Sequence, residues 1–411
     1  MDKLTIIAGL AGLLLVLLVV GNAVYENPEQ RYESSRTDLM DTNVNIIIYH
    51  NDEDEAKDIM EEAFAQMERV IAIADRFTAS SEVSRLNANS TIADPSPELV
   101  EMISISVEYW TITNGAFDIT ILPLLDLWNP YSGSGPYLLF SLDQSHSETL
   151  DSATITEDIR GAFSDNEYTL YEPSVTVVTE GQEWIIHSGW VNYRVTNATG
   201  DLSVTVTEFW NVNPATQNEY INDTKQFVGS DKITITDTSI SLQDGMSITL
   251  DGMAKGYIVD SAIKVLKEKG IDSALIDAGG DIATIGEKPG DEKWNIGLRN
   301  PENKEESVME FGISGKAIAT SGNYERFFNE SKDVGHIMDP NTGNSVFKAS
   351  SSTIIADNCT VADILATGVF VLGPVDGIAL VETLPGVEAV LLGYDDPQEF
   401  FKSSDVDKYV A

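Results

Sequence analysis

The pattern of apolar and polar positions predicts a mixture of helices and strands. Apolar side chains recur at steps of three and four in some segments and alternate in others, which are the helix and strand periods. Asn51 or Asp52 is a candidate cap for the first helix, and Gly270 ends the last one. The predicted helices cover 53–76, 97–113 and 257–269, and the predicted strands cover 43–49, 233–238, 247–250, 274–278, 294–299 and 317–320.

The N-terminal segment has no charge from residue 4 to residue 24. At about 1.5 Å per residue, a helix of this length spans a bilayer core of roughly 30 Å. We therefore interpret residues 1–24 as a transmembrane signal-anchor, with a cleaved signal peptide as the alternative, and 25–38 as a polar stalk. The acidic flank after the segment, with Lys3 before it, favours a cell-membrane protein whose catalytic domain is extracytoplasmic.

The texture of the chain changes between residues 131 and 226. Helical periodicity is absent there, and β-branched and aromatic residues dominate 183–195 and 202–210. This composition predicts a β-rich insertion in a main domain formed by 39–130 and 227–411. The fold class that follows is α+β.

Charge and residue usage exclude several classes of function. The 25 basic and 66 acidic side chains give a net charge of −41, which argues against nucleic acid as a partner. The single cysteine, Cys359, excludes an internal disulfide. The four histidines show no metal-ligand spacing, so a transition-metal enzyme is not expected.

Residues 249–257 pass from a predicted strand through a glycine turn into a helix. Free N–H groups at such a helix start can bind a phosphate, and Lys255 adds a positive charge. The alternative is a plain strand–turn–helix connection with a solvent-reaching lysine. Paired glycines in 277–281 favour a structural turn when taken alone.

Two further segments carry polar groups beside apolar runs. Asp363 and Thr367 lie four residues apart in a helical pattern, so their oxygens share one face and suit Mg²⁺. A helix-dipole partner and a back-bonding hydroxyl explain the same pair. His336 lies in a polar turn, 335–343, where a surface histidine is the alternative to a functional one.

Together these segments resemble one family, the FAD:protein FMN transferases (the ApbE family). The resemblance covers roughly residues 37–130 and 230–400, with the anchor and the insertion outside it. The matching motifs lie at 39–42, 81–87, 115–120 with Pro123 and Trp128, 251–257 with Asp260, 277–281, Trp294 with Pro301, 319–325, 336–343 and 362–367. Two positions differ: Thr249 replaces the family's usual Asp, and Met40-Asp41-Thr42 replaces Met-Gly-Thr.

The resemblance implies a mixed α/β flavin-transferase fold and a reaction. Family members bind FAD with Mg²⁺ and transfer FMN to a threonine hydroxyl of a flavoprotein, commonly an Nqr- or Rnf-type subunit of a membrane redox complex, with release of AMP. The resemblance places His336 at the phosphoryl centre. It assigns Mg²⁺ to the Gly252 carbonyl, Asp363 and Thr367, and FAD to Met40, Phe77, Ala116, Phe117, Asp118, Thr249, Lys255 and Ile337.

Two alternatives to protein flavinylation remain at this stage. A Mg²⁺-dependent FAD pyrophosphatase would use the same residues, with water replacing the threonine and FMN and AMP as products. A non-catalytic surface flavin-binding protein would not need the oxygen pair of Asp363 and Thr367.

Overall fold

The computed structural model describes residues 29–128, 214–301, 303, 305–323, 327–328 and 334–411, and the backbone of five strands between 140 and 206. The predicted membrane anchor, 1–24, lies outside the described residues. Within them, no helix is both long and apolar enough to cross a bilayer.

Eight α-helices occur in the described part of the chain. They are α1 (Glu53–Ala74), α2 (Glu82–Asn89), α3 (Pro97–Ile112), α4 (Leu122–Trp128), α5 (Pro214–Lys225), α6 (Ala254–Glu268), α7 (Cys359–Leu372) and α8 (Pro374–Val381).

The described strands are β1 (Gln30–Leu39), β2 (Thr42–His50), β3 (Thr91–Ala93), β4 (Phe140–Leu142), β5 (Val175–Glu180), β6 (Glu183–Ser188), β7 (Val191–Ala198), β8 (Asp201–Val206), β9 (Thr234–Ile235), β10 (Ser239–Ser241), β11 (Ala274–Ala278), β12 (Asp281–Ile285), β13 (Trp294–Arg299), β14 (Ser307–Ile313), β15 (Ala317–Gly322), β16 (Met338–Asp339), β17 (Asn344–Ser345), β18 (Ala349–Ala356), β19 (Glu388–Gly393) and β20 (Phe400–Lys402).

One eight-stranded sheet organises the main domain. Its order is β1-β2-β11-β12-β15-β18-β19-β20, and all neighbours are antiparallel. Successive side chains point to opposite faces, so Ile276 joins one core with α1, α6 and α7, while Leu275 joins another. The second core is closed by the β13–β14 hairpin through Trp294 and Phe311. The mixed α/β fold class is therefore confirmed.

Most predicted elements occur near their predicted positions. The strand at 43–49 and the helix at 53–76 are β2 and α1, and the Asp52 carboxylate accepts the Glu55 N–H at 2.9 Å as the cap. Helix α6 begins three residues earlier than predicted. Gly270 has φ +80° just beyond its end, a conformation that favours glycine.

Two predictions for individual segments are wrong. Residues 30–38 are not a stalk, because they form β1, which pairs with β2 along its length. Residues 247–250 are not a strand, because their backbone groups form hydrogen bonds with the Asn87 side chain and the Ile119 carbonyl and not with a neighbouring strand. Both polar backbone groups of Ile248 bond to the Asn87 amide, and the Thr249 N–H donates to the Ile119 carbonyl.

The segment assigned to the insertion contains a five-stranded antiparallel sheet in the order β4-β8-β7-β6-β5. The prediction of β structure is confirmed for these strands. The predicted absence of helix is wrong at its C-terminal end, where α5 covers Pro214–Lys225. Proline is favourable at the first position of a helix, which explains where α5 begins.

Candidate functional site

Helices α6 and α7 are in close contact at Gly256. A Cβ atom built on this glycine would lie 2.4 Å from the Cys359 carbonyl oxygen and 2.8 Å from the Asp363 Cβ. The Gly256 N–H donates to Asp363 Oδ2 at 3.0 Å. The helix start that was a candidate phosphate site therefore already donates to the protein's own carboxyl group, that of Asp363.

Asp260, one turn further along α6, fixes the first turn of α7. Its carboxylate accepts the N–H groups of Cys359 and Thr360 at 2.9 and 2.7 Å and the Thr360 hydroxyl at 2.6 Å. A carboxylate at a helix N-terminus accepts hydrogen bonds from the free backbone N–H groups and interacts favourably with the helix dipole. The two helices are thus held in one register, which determines where Asp363 lies.

Lys255 forms an ion pair with Asp281, the first residue of β12. The ammonium lies 2.7 Å from Asp281 Oδ2, and the side-chain exposures are 36% for the lysine and 2% for the aspartate. Burial lowers the pKa of Lys255, but the Asp281 and Asp363 carboxylates raise it by more, so the ammonium stays charged. Burial raises the pKa of Asp281, and Lys255 opposes that effect.

Two buried carboxyl groups therefore share one cation at this junction. Burial and the nearby Asp281 carboxylate raise the pKa of Asp363 to about 8. A further positive charge beside Asp363 would reverse this, as expected for a metal site. Burial also raises the pKa of the neighbouring Cys359 thiol, which keeps it protonated and unsuited to binding metal.

The oxygen set fits Mg²⁺ better than a transition metal. Across the described ranges, no group of three or more His, Cys, Asp or Glu side chains could hold a metal ion. Gly252 lies beside Thr367, since a Cβ built on it would be 3.4 Å from Thr367 Oγ1. A carbonyl, a hydroxyl and a single carboxylate are hard oxygen donors, which Mg²⁺ accepts while retaining water.

Other predicted residues surround this junction. The Thr367 hydroxyl lies 3.2 Å from Ser321 Oγ at the end of β15. Phe117 is buried, and its ring would be 3.3 Å from a Cβ built on Gly252. Phe117 and Thr367 thus both lie beside Gly252, and the buried Ala116 precedes Phe117 in the chain.

Met40 lies at the tip of the β1–β2 hairpin. Met40 and Asp41 have φ of 57° and 56°, as in a type I′ turn, where glycine is usually preferred. Thr42 then contacts the β11–β12 turn, since a Cβ built on Gly279 would be 2.2 Å from Thr42 Oγ1. The altered motif therefore retains a tight turn next to the strand that carries Asp281.

The Phe77 side chain is 62% exposed, whereas the predicted FAD residues Phe117 and Ile337 are buried. The Arg76 guanidinium lies 4.1 Å from the Phe77 ring centroid, and its Nε donates to Asp251 Oδ2 at 3.1 Å. This contact links the ring to the loop that contains Gly252. An exposed ring with a cation on it is suited to stacking on a flat ligand.

Asp118 and Thr249 are buried and bonded within the protein. Asp118 Oδ1 accepts the Thr120 N–H, the Thr120 hydroxyl and the Ser230 hydroxyl at 2.6–2.8 Å. Burial raises the pKa of Asp118, and these bonds lower it. The Thr249 hydroxyl accepts the Asp251 N–H at 3.2 Å. The observed contacts of both side chains therefore support loops of the site.

His336 and Ile337 belong to a hairpin whose short strands are β16 and β17. His336 is half-buried, and Ile337 is buried with its carbonyl accepting the Val346 N–H. The hairpin reaches the site through Asn341, whose amide would be 3.8 Å from a Cβ built on Gly115. Gly115 directly precedes Ala116 and Phe117, so the hairpin and the α6–α7 junction meet the same loop.

Sequence reasoning assigned no role to three residues that support the site, Asp281, Arg76 and Asp260, although Asp281 and Asp260 lie in recognised motifs. Asp281 belonged to a recognised motif, but its glycines favoured a structural interpretation. Its position directly after the glycine turn was the available signal in the sequence. No periodicity marked Arg76 or Asp260, because their partners lie far away in the chain.

Comparisons with known proteins find similar sequences and structures. The sequence profile of the ApbE family matches residues 40–167 and 191–391, which is more than half of the chain and extends into the predicted insertion. A Treponema pallidum protein named FAD:protein FMN transferase is 37% identical over 161 residues, 36% of this chain and 44% of that protein. A Klebsiella pneumoniae protein of the same name is 24% identical over 328 residues, 79% of this chain and 73% of the other.

The first alignment thus spans less than half of the Treponema relative. Among solved structures, an ApbE protein from Thermotoga maritima superposes with a TM-score of 0.66 at 23% identity, covering 93% of this chain and all of the other. At that identity the likeness concerns the fold. Because the family profile covers most of the chain, the protein belongs to the ApbE family.

Proposed function

We propose that this protein transfers the FMN moiety of FAD to a threonine hydroxyl of a flavoprotein. The observation that carries the proposal is the α6–α7 junction, where Lys255, Asp281 and Asp363 meet beside Gly252 and Thr367. The names of the relatives support the same activity. The acceptor we infer is an exported or membrane flavoprotein of the Nqr or Rnf type.

The reaction forms one phosphoester bond and breaks one pyrophosphate bond. The acceptor oxygen attacks the phosphorus on the FMN side of FAD, the bridging P–O bond breaks, and AMP leaves. The hydroxyl proton passes to a base, for which we propose His336, since imidazole ordinarily exchanges protons near neutral pH. Lys255 supplies a fixed positive charge for the pyrophosphate oxygens.

The Gly252 carbonyl, Asp363 and Thr367 would hold Mg²⁺ in this proposal. When bound, Mg²⁺ supplies positive charge that stabilises the pyrophosphate oxygens as the bond breaks. The chain's own residues orient this centre: Asp281 fixes Lys255, and the Gly256 N–H fixes the Asp363 carboxylate. The bulk of the protein has a charge of −41, so a local cation is needed to admit anionic FAD.

We further propose that residues 1–24 anchor the protein in the cell membrane and that the catalytic domain faces outward. This location would place the transferase beside a membrane redox complex. The uncharged N-terminal segment supports the proposal.

Incubation of the purified protein with FAD and Mg²⁺, with and without an acceptor flavoprotein domain, tests the function. Mass spectrometry should detect one FMN on an acceptor threonine and an equal amount of AMP. Rapid release of free FMN and AMP at the same rate without acceptor would instead identify a pyrophosphatase. Binding of FAD without any cleavage would indicate a flavin-binding protein.

A further inference from the structure

The hairpin that carries His336 is held in place from outside by two helices, α4 and α5. Trp128, the last residue of α4, donates its indole Nε1–H to the Gly343 carbonyl at 2.7 Å. Trp128 is only 7% exposed. Because a buried carbonyl without a donor costs about 1–3 kcal/mol, this bond restrains the hairpin strongly.

Gly343 is also enclosed by helices α4 and α5. A Cβ built on Gly343 would lie 2.5 Å from Ile221 Cγ2 and 3.3 Å from Leu124 Cδ2. Its φ of +73° is one that favours glycine. The hairpin turn therefore fits a socket, which we define as Leu124, Trp128 and Ile221. At Gly343 this socket leaves no room for a side chain and restricts the backbone conformation.

Bonds inside the hairpin transmit this position to His336. The Gly343 N–H donates to the Asp339 carbonyl at 2.7 Å, and the Val346 N–H donates to the Ile337 carbonyl at 3.1 Å. The Ser345 hydroxyl donates to the Gly335 carbonyl at 2.8 Å. The residues on each side of His336, Gly335 and Ile337, are thus bonded to Ser345 and Val346, which follow Gly343 closely in the chain.

From these contacts we propose that Trp128 is a positioning residue, which sets the place of His336 through Gly343. The proposal rests on the proposed function, because it concerns the residue assigned to proton transfer there. Helices α4 and α5 flank the segment 129–213 on either side. The socket therefore connects the two ends of this segment to the hairpin.

Trp128→Phe tests the proposal, because it removes the indole donor and retains a buried aromatic ring. We expect the kcat for FMN transfer to fall by about tenfold or more, since proton transfer by a well-placed base contributes about 10²–10⁴-fold. The dissociation constant for FAD should change by less than about threefold. Amide hydrogen exchange of residues 335–346 should accelerate by at least about tenfold.

Trp294→Phe is the matched control. Trp294 is also buried, and its Nε1–H donates to the Gly286 carbonyl at 3.2 Å, but it packs in the core on the other face of the sheet. This variant should lose stability without a change in kcat or in hairpin exchange. Equal loss of kcat in both variants, or an unchanged kcat in Trp128→Phe, would overturn the proposal.

If Trp128→Phe gives no cooperative unfolding transition, Ile221→Ala replaces it with the same expected results. Hydrogen exchange also distinguishes a failure of the proposed function from a failure of the role proposed for Trp128. A wild-type protein without transferase activity would contradict the proposed function. Unchanged hairpin exchange in an active, folded Trp128→Phe protein would contradict only the role of Trp128.

Discussion

Gly256→Ala examines whether the close approach of α6 and α7 determines the site. The added Cβ would lie 2.4 Å from the Cys359 carbonyl oxygen, whereas ordinary contact begins at 3.4 Å. The obstructing atom belongs to the backbone, so the helices must separate locally by about 1 Å to accept it. The same shift moves Asp363 away from the Gly256 N–H.

The expected loss of stability follows from two opposing effects. Overpacking of a well-filled contact costs about 1–3 kcal/mol, and a rigid backbone favours the upper end. Alanine recovers about 1 kcal/mol through its higher helix propensity. The net cost is about 2 kcal/mol, which for a main domain of roughly 280 residues corresponds to a fall in Tm of about 3 °C.

The expected loss of activity is larger, since a displacement of about 1 Å at a reacting centre can reduce the rate about 100-fold. Differential scanning calorimetry and the transfer rate at 15 °C below the variant's Tm measure the two effects. Gly377→Ala is the control, because its Cβ would lie 2.8 Å from Val369 Cγ1, at the α7–α8 contact. It should lower Tm with kcat retained. A Gly256→Ala protein with wild-type kcat would refute the reasoning.

Two further predictions concern charges at the site. Lys255→Met should lower the free energy of unfolding by up to about 3 kcal/mol, because breaking a fully buried ion pair costs about 3–5 kcal/mol and Lys255 is partly exposed. In urea unfolding, the double variant with Asp281→Asn should recover part of this loss, and strictly additive losses would contradict the pairing. His336→Asn should lower kcat by about two to four orders of magnitude with little change in FAD affinity, and a rate loss confined to FAD binding would move His336 to a binding role.

Strands β2, β11 and β15 of the main sheet and helices α1, α3 and α6 followed from the sequence because their apolar periodicity is regular. The strands β12, β18, β19 and β20 were not among the predicted strands. Helix α1 buries a continuous stripe, and β2 alternates strictly. Strand β1 was missed because it is a polar edge strand whose structure depends on pairing with β2. The loop 247–250 looked like a strand because its apolar residues are buried, but their backbone bonds go to Asn87 and Ile119.

The site shows the same division between local and long-range information. The spacing of Asp363 and Thr367 correctly placed them on one helix, α7. The bond from the Gly256 N–H to Asp363 joins residues 107 positions apart, so no local pattern reveals it. The pairing of Lys255 with Asp281 likewise depends on how α6 packs against β12.

The transfer rate of Asp363→Asn, compared with that of Asp260→Asn, tests the central claim most directly. Asp363 is buried and Asp260 is half-buried. Each carboxyl group accepts backbone N–H hydrogen bonds at the α6–α7 contact, and asparagine retains one oxygen acceptor at either position. At saturating FAD and Mg²⁺, Asp363→Asn should be inactive although folded, while Asp260→Asn should retain transfer within about tenfold, an effect of roughly 1.4 kcal/mol. Full transfer by Asp363→Asn would contradict the account.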